Sequence, residues 1–138
     1  MAAQHYYYKD KTMNLHKPVF LYSMTIMYMA LGIVHLVKPT LYLAVMPAWL
    51  PFKMFLIYLS GVAEILLGGL LIPVRTRIVS AWLIIAMLVV FFFLIHIPQA
   101  MEYYQTGNKH FIITLIRLPM QFLLIAWAWP YTSGTSGK

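Results

Sequence analysis

Four ionisable side chains stand inside stretches that are otherwise almost wholly apolar: His35, Glu64, His96 and Arg117, with Gln121 as a further polar group. An ionisable group in a membrane-spanning helix costs roughly 2.5–3.5 kcal/mol on insertion scales, so each needs a partner and a reason to be there. A carboxylate can accept or relay a proton, a guanidinium can hold that carboxylate charged or polarise a carbonyl, and an imidazole can donate, accept or ligate. Helical spacing puts these groups on defined faces. Gly61 and Gly68 flank Glu64 at minus three and plus four, so the carboxylate lies on a stripe of small residues that lets a neighbouring backbone approach, and it is expected to point into a bundle. Tyr28, Gly32 and His35 repeat that rhythm in the first apolar run, and Thr114, Arg117 and Gln121 repeat it in the last.

These groups admit two readings. A Glu64–Arg117 ion pair could lock two helices together, because an unpaired charge in hydrocarbon costs several kcal/mol more than a paired one. Alternatively His35, Glu64, His96, Arg117 and Gln121 line a pocket for a quinone-like or other lipophilic ligand, or for a proton. The histidines taken singly could simply cap helix ends. Metal ligation by two His and one Glu from three helices is chemically open, whereas a bis-His haem is not demanded by the spacing and would compete with Arg117 for room. The chain has no cysteine, which removes disulfide exchange, thiolate metal sites and iron–sulfur ligation, so any redox role must borrow a cofactor.

The elements that position these residues are membrane spans. Of the 138 residues 62% are apolar and 9% charged, against roughly a quarter charged in soluble proteins. A spanning helix needs about 20 mostly apolar residues, and four stretches qualify: Pro18 to Val37, Phe52 to Ile72, Ile78 to Ile97 and Phe111 to Trp129, each bounded by Pro, Lys, Arg or Asn-Lys signals. The expected fold is an all-α, integral-membrane four-helix bundle over residues 18–130, between a polar N-terminal segment 1–17 and a flexible tail 131–138. The first apolar run is too long for a signal-peptide core and lacks a small-residue cleavage pattern, so it is expected to stay as a helix. Between the first two spans, TLYLAVMPAWLP is apolar but too short to cross, and two prolines make it an interfacial or re-entrant segment that roofs the polar residues. Trp49 and Tyr42 suit the headgroup level.

The net charge of +7 comes from bases spread between apolar runs. They serve as headgroup anchors and form no contiguous face for phosphates, so nucleic acid is not an expected partner. With four spans, Lys9, Lys11, Lys17, Arg75, Arg77 and Lys138 share one side against Lys38, Lys53 and Lys109 on the other, which favours termini inside. The expected setting is a bacterial cytoplasmic membrane with both termini cytoplasmic. In this topology His35 and His96 fall near the outer ends of their spans, Arg117 about two turns in and Glu64 near the midplane, so all four can meet in the outer half.

The stretch MALGIVHLVKPTLYLAVMPAWLPFKMFLIYLSGVAEILLGGLLIPVRTR, continued by RLPMQFLLIAWAW, resembles the DoxX-like family of small four-helix membrane proteins over roughly Ala30 to Trp129. Its separated blocks are Gly, His and Pro, then MP-x-x-LP, then SGVAEI-x-LG, then a Pro ahead of basic residues. The positions that match are Gly32, His35, Pro39, Met46, Pro47, Pro51, Gly61, Glu64, Gly68, Arg117, Pro119 and Gln121; His96 departs from the pattern, which has Asn there. The resemblance implies a bundle working beside other membrane proteins, in some relatives in quinone reduction. The expected function is an accessory subunit with an intramembrane pocket for a quinone-like or other lipophilic ligand. The alternative is a non-catalytic membrane assembly or interaction protein, with the polar residues structural and membrane protein partners or a homo-oligomer. A transporter is a third reading, encouraged only by helices broken around Pro98 and Pro119.

Overall fold

The computed structural model describes the backbone of residues 2–133 and the side chains of residues 18–133; the side chains of the polar segment 1–17 and tail residues 134–138 lie outside the described residues. The chain is all-helical: α1 (Ala2–Val37), α2 (Pro39–Leu43), α3 (Lys53–Leu70), α4 (Val74–Phe91), a π-helical turn (Phe92–His96), α5 (Ile97–Thr106), α6 (Phe111–Ala128) and a terminal 3₁₀ turn (Trp129–Tyr131). Four helical stretches are long and apolar enough to cross a bilayer, Pro18–Val37, Lys53–Leu70, Val74–Thr106 and Phe111–Tyr131, so this is a multi-pass membrane protein. Its exterior carries Ile26, Ile112 and Leu123, each about two-thirds exposed, as expected where lipid rather than water is the solvent.

The inward faces of α3 and α6 carry small and polar residues alongside apolar ones. On α3 the buried residues are Ile57, Gly61, Glu64 and Gly68, spaced 4, 3 and 4, and on α6 they are Thr114, Gln121 and Ala128 at intervals of seven. The glycine stripe sets the main packing. α1 lies against α3 so closely that a Cβ on Gly32 would sit 2.5 Å from the Gly61 carbonyl oxygen, and one on Gly61 would sit 2.7 Å from the His35 Cβ. Only hydrogen fits at either position, and the approach recovers dispersion contacts that lipid cannot replace. α6 packs on α4, and α3 meets α4 beyond their tight connection.

That connection is held by side chains that cap the exposed carbonyls ending α3. Arg77 donates from Nε to the Leu71 carbonyl (2.9 Å) and from Nη2 to that of Ile72 (2.8 Å), while the Thr76 hydroxyl donates to Leu70 (2.7 Å). At this end Leu21, Met24, Leu71, Ala81, Ile84 and Ala128 form a buried apolar cluster. The Trp127 indole donates to the Phe20 carbonyl (3.2 Å) and the Ser80 hydroxyl to that of Leu67.

The third span differs from the sequence expectation. It does not stop at Ile97: the helix runs on through Pro98 to Thr106. A proline lacks an N–H and crowds the preceding turn, and the chain accommodates it by widening that turn, so that Ile97 N–H bonds back to Phe92 O in the π register. Pro119 likewise lies within a continuous α6. Neither proline breaks its helix, which removes the observation that encouraged a transporter reading. The extension is used structurally, because α5 braces the 44–50 segment: Tyr103 OH donates to the Ala44 carbonyl (2.9 Å) and Ala48 N–H donates to Glu102 Oε2 (3.2 Å). Pro47 is fully buried beneath that brace, and Phe52 adopts a left-handed backbone (φ 52°) as the chain turns into α3.

The glycine contacts make a paired prediction. Gly32→Ala forces a methyl group into the α3 backbone and is expected to destabilise by about 1–3 kcal/mol, read as a lower unfolding temperature in detergent. Gly69→Ala, whose added methyl meets nothing within 4 Å, is expected to leave that temperature unchanged or slightly raised.

Candidate functional site

The crossing at Gly32 and Gly61 places His35, one helical turn beyond Gly32, beside Glu64, one turn beyond Gly61. His35 Nδ1 lies 2.8 Å from the Leu31 carbonyl oxygen and 3.1 Å from Glu64 Oε2. A carbonyl can only accept, so Nδ1 carries the proton and directs it along its own helix. Glu64 Oε2, which can also only accept when ionised, lies beside the same nitrogen in close electrostatic contact. Both residues are buried, with Glu64 6% exposed. The outer face of the imidazole is covered by Tyr42, whose ring stacks on it with centroids 3.5 Å apart and planes 20° from parallel.

Of the two readings, the Glu64–Arg117 lock is not formed. The Glu64 carboxylate sits against His35 on α1, and among the described residues Arg117 lies within 4 Å of no carboxylate. The reason is the helix arrangement: the glycine stripe draws α3 onto α1, whereas Arg117 is carried by α6, which packs on α4.

All five expected residues nevertheless line one cavity of about 610 Å³, within the roughly 300–1,000 Å³ of small-molecule sites. His35 and Glu64 reach it from α1 and α3, His96 from the π turn, and Arg117 and Gln121 from α6. Val45, Met46 and Leu50 of the expected roof close one side, and the walls are apolar, including Leu59, Phe91, Ile95 and Leu124. Leu59, Val90 and Leu94 line the cavity while remaining about half exposed, which carries its wall out to the apolar flank between α3 and α4.

The polar atoms in the cavity differ in how far they are committed. Gln121 donates its amide to the Leu88 carbonyl (3.0 Å) and ties α6 to α4 just before the π turn. By contrast the Tyr28 hydroxyl, Glu64 Oε2 and His96 Nδ1 are buried without a hydrogen-bond partner, and all three residues line the cavity. Buried polar groups are ordinarily satisfied, so such a group left open at a cavity calls for an explanation. Arg117 is half-buried and makes no hydrogen bond or ion pair among the described residues. Tyr42 senses both charges. Burial pushes its phenol above the usual tyrosine range, the Glu64 carboxylate pushes in the same direction and Arg117 opposes them. No group of three His, Cys, Asp or Glu among the described residues is placed to hold a metal ion, so the two-His, one-Glu set does not assemble as ligands.

Two further residues belong to this site. Tyr28 lies on the face of Gly32 and His35, as the spacing of these three residues indicates, and its hydroxyl joins the residues that line the cavity. Tyr42 carried no such signal, because its stacking on His35 depends on how α2 folds back after Lys38.

A family model described as a domain of unknown function (DUF8561) matches residues 24–132 of this chain. The chain belongs to that family. The matched region contains every residue that lines the cavity. Neither the curated proteins nor the solved structures contain a match to it.

The pairing predicts an asymmetry between substitutions. His35→Ala leaves the Glu64 carboxylate buried without its partner and is expected to cost about 3–5 kcal/mol. Glu64→Gln removes the charge and keeps the shape, so its cost is expected to stay near 1 kcal/mol, as is that of Gln121→Leu. Thermal unfolding of the purified protein in one detergent ranks the three.

Proposed function

We propose that this protein is an accessory membrane subunit whose intramembrane cavity holds a lipophilic small molecule with a polar head, a quinone-like compound being one candidate. The observation that carries the reading is the pair of buried groups without a hydrogen-bond partner, Tyr28 OH and His96 Nδ1, together with the Arg117 guanidinium, which makes no hydrogen bond or ion pair among the described residues, around an otherwise apolar cavity. Arg117, Tyr28 and His96 offer hydrogen-bond donors suited to carbonyl oxygens, and Glu64 offers an acceptor or a proton. The DoxX-like resemblance over the same residues supports a quinone-type occupant and work beside other membrane proteins, possible partners that include a second copy of this chain. In this reading the chain sits in a bacterial cytoplasmic membrane with both termini cytoplasmic, supported by the six-to-three distribution of Lys and Arg.

One observation favours a second reading, a non-catalytic assembly or interaction protein. The His35–Glu64 contact and the Gln121–Leu88 hydrogen bond each join two helices, which a purely structural role would also require.

Native mass spectrometry of the protein released gently from its membrane separates the two. The ligand reading expects one small lipophilic adduct per chain, or uptake of an added short-chain quinone, weakened by Glu64→Gln in protein that remains folded. A protein that carries no adduct, takes up no quinone and copurifies with a stable protein partner would favour assembly instead.

A further inference from the structure

The head-group chemistry of the occupant follows from the mismatch between Arg117 and its surroundings. A guanidinium presents five N–H donors and cannot be deprotonated in a protein. The carboxylate that lines the same cavity, Glu64, is seated against His35. Two further groups on the same cavity that lack a hydrogen-bond partner, Tyr28 OH and His96 Nδ1, can donate hydrogen bonds, His96 in its Nδ1–H tautomer, while Glu64 Oε2 already lies 3.1 Å from His35 Nδ1. A neutral ligand carbonyl would answer part of this set, whereas a carboxylate or phosphate supplies both the charge and the paired oxygens that match a planar guanidinium. The apolar wall leading to the flank at Leu59, Val90 and Leu94 provides a path for a hydrocarbon chain in contact with lipid.

We infer that the cavity binds an acidic amphiphile, with its anionic oxygen head held by Arg117 and assisted by Tyr28 and His96, and its chain directed between α3 and α4. This inference rests on the ligand reading above and narrows it. A free fatty acid and a phosphate-headed lipid share the chemistry, and the test separates them.

The full-length protein in phosphatidylcholine nanodiscs is titrated with a dansyl-tagged fatty acid, its methyl ester, a monoalkyl phosphate of the same chain, and a short-chain quinone. The acid is expected to bind about tenfold or more tighter than the ester, the ratio that a charge-assisted hydrogen bond supplies. Arg117→Gln is expected to abolish that preference. Tyr28→Phe, which removes an unpartnered hydroxyl while keeping the packed ring, is expected to reduce it at unchanged thermal stability. Should Arg117→Gln fail to fold, Arg117→Lys and Tyr28→Phe decide. A phosphate tighter than the carboxylate assigns a lipid-headgroup source, and the reverse order assigns a free fatty acid. Equal binding of acid and ester, or a preference that survives the Arg117 and Tyr28 substitutions, overturns the inference and leaves the ligand reading standing. Failure of every probe, the quinone included, sinks both.

Discussion

The approach of α1 to α3 at Gly32 and Gly61, too close for a side chain on either, is the constraint from which the rest of the interior follows. It fixes the rotation of both helices about their axes, and one turn further along each helix it delivers His35 and Glu64 to the same point. In hydrocarbon, helices gain little from burying apolar surface against each other, so close backbone contact and polar pairing carry the specificity. The His35 proton directed at Leu31 and the carboxylate beside it are therefore consequences of where two hydrogen atoms replace two side chains.

The bundle is built unevenly along its length. At the end holding the α3–α4 connection, Arg77 and Thr76 cap the turn and a tight apolar cluster joins α1, α4 and α6. Toward the other end the pairs α1–α3 and α4–α6 enclose the cavity, and a non-helical segment braced by α5 covers it. The π turn belongs to this division: it carries the third span past Pro98 intact, sets His96 on the cavity and allows α5 to reach the 44–50 segment. A packed end that holds the fold and a roofed end that leaves polar atoms open is an arrangement suited to admitting a guest without unfolding its host.

Much of this was legible in the residues. Four spans, the inward face of Glu64 and the convergence of His35, His96, Arg117 and Gln121 under the MPAWLP segment follow from apolar run length, glycine spacing and helical periodicity. The identity of the Glu64 partner did not follow, because charge complementarity favours arginine while helix adjacency, set by backbone contact, favours histidine. The end of the third span was misplaced for a related reason. Proline ordinarily signals termination, but a widened turn lets the helix absorb it, and nothing in FFLIHIP announces that register. Tyr42 was invisible as a site residue because stacking across a short connection has no periodic signature.

The central claim is that Glu64 acts on His35. Solid-state nitrogen NMR of histidine-labelled protein in bilayers tests it directly, since the ring nitrogens report tautomer and environment together. The account predicts a His35 resonance protonated at Nδ1 that shifts when Glu64 is replaced by Gln and stays put when Arg117 is replaced by Lys. A His35 signal indifferent to Glu64→Gln, or one protonated only at Nε2, would contradict it.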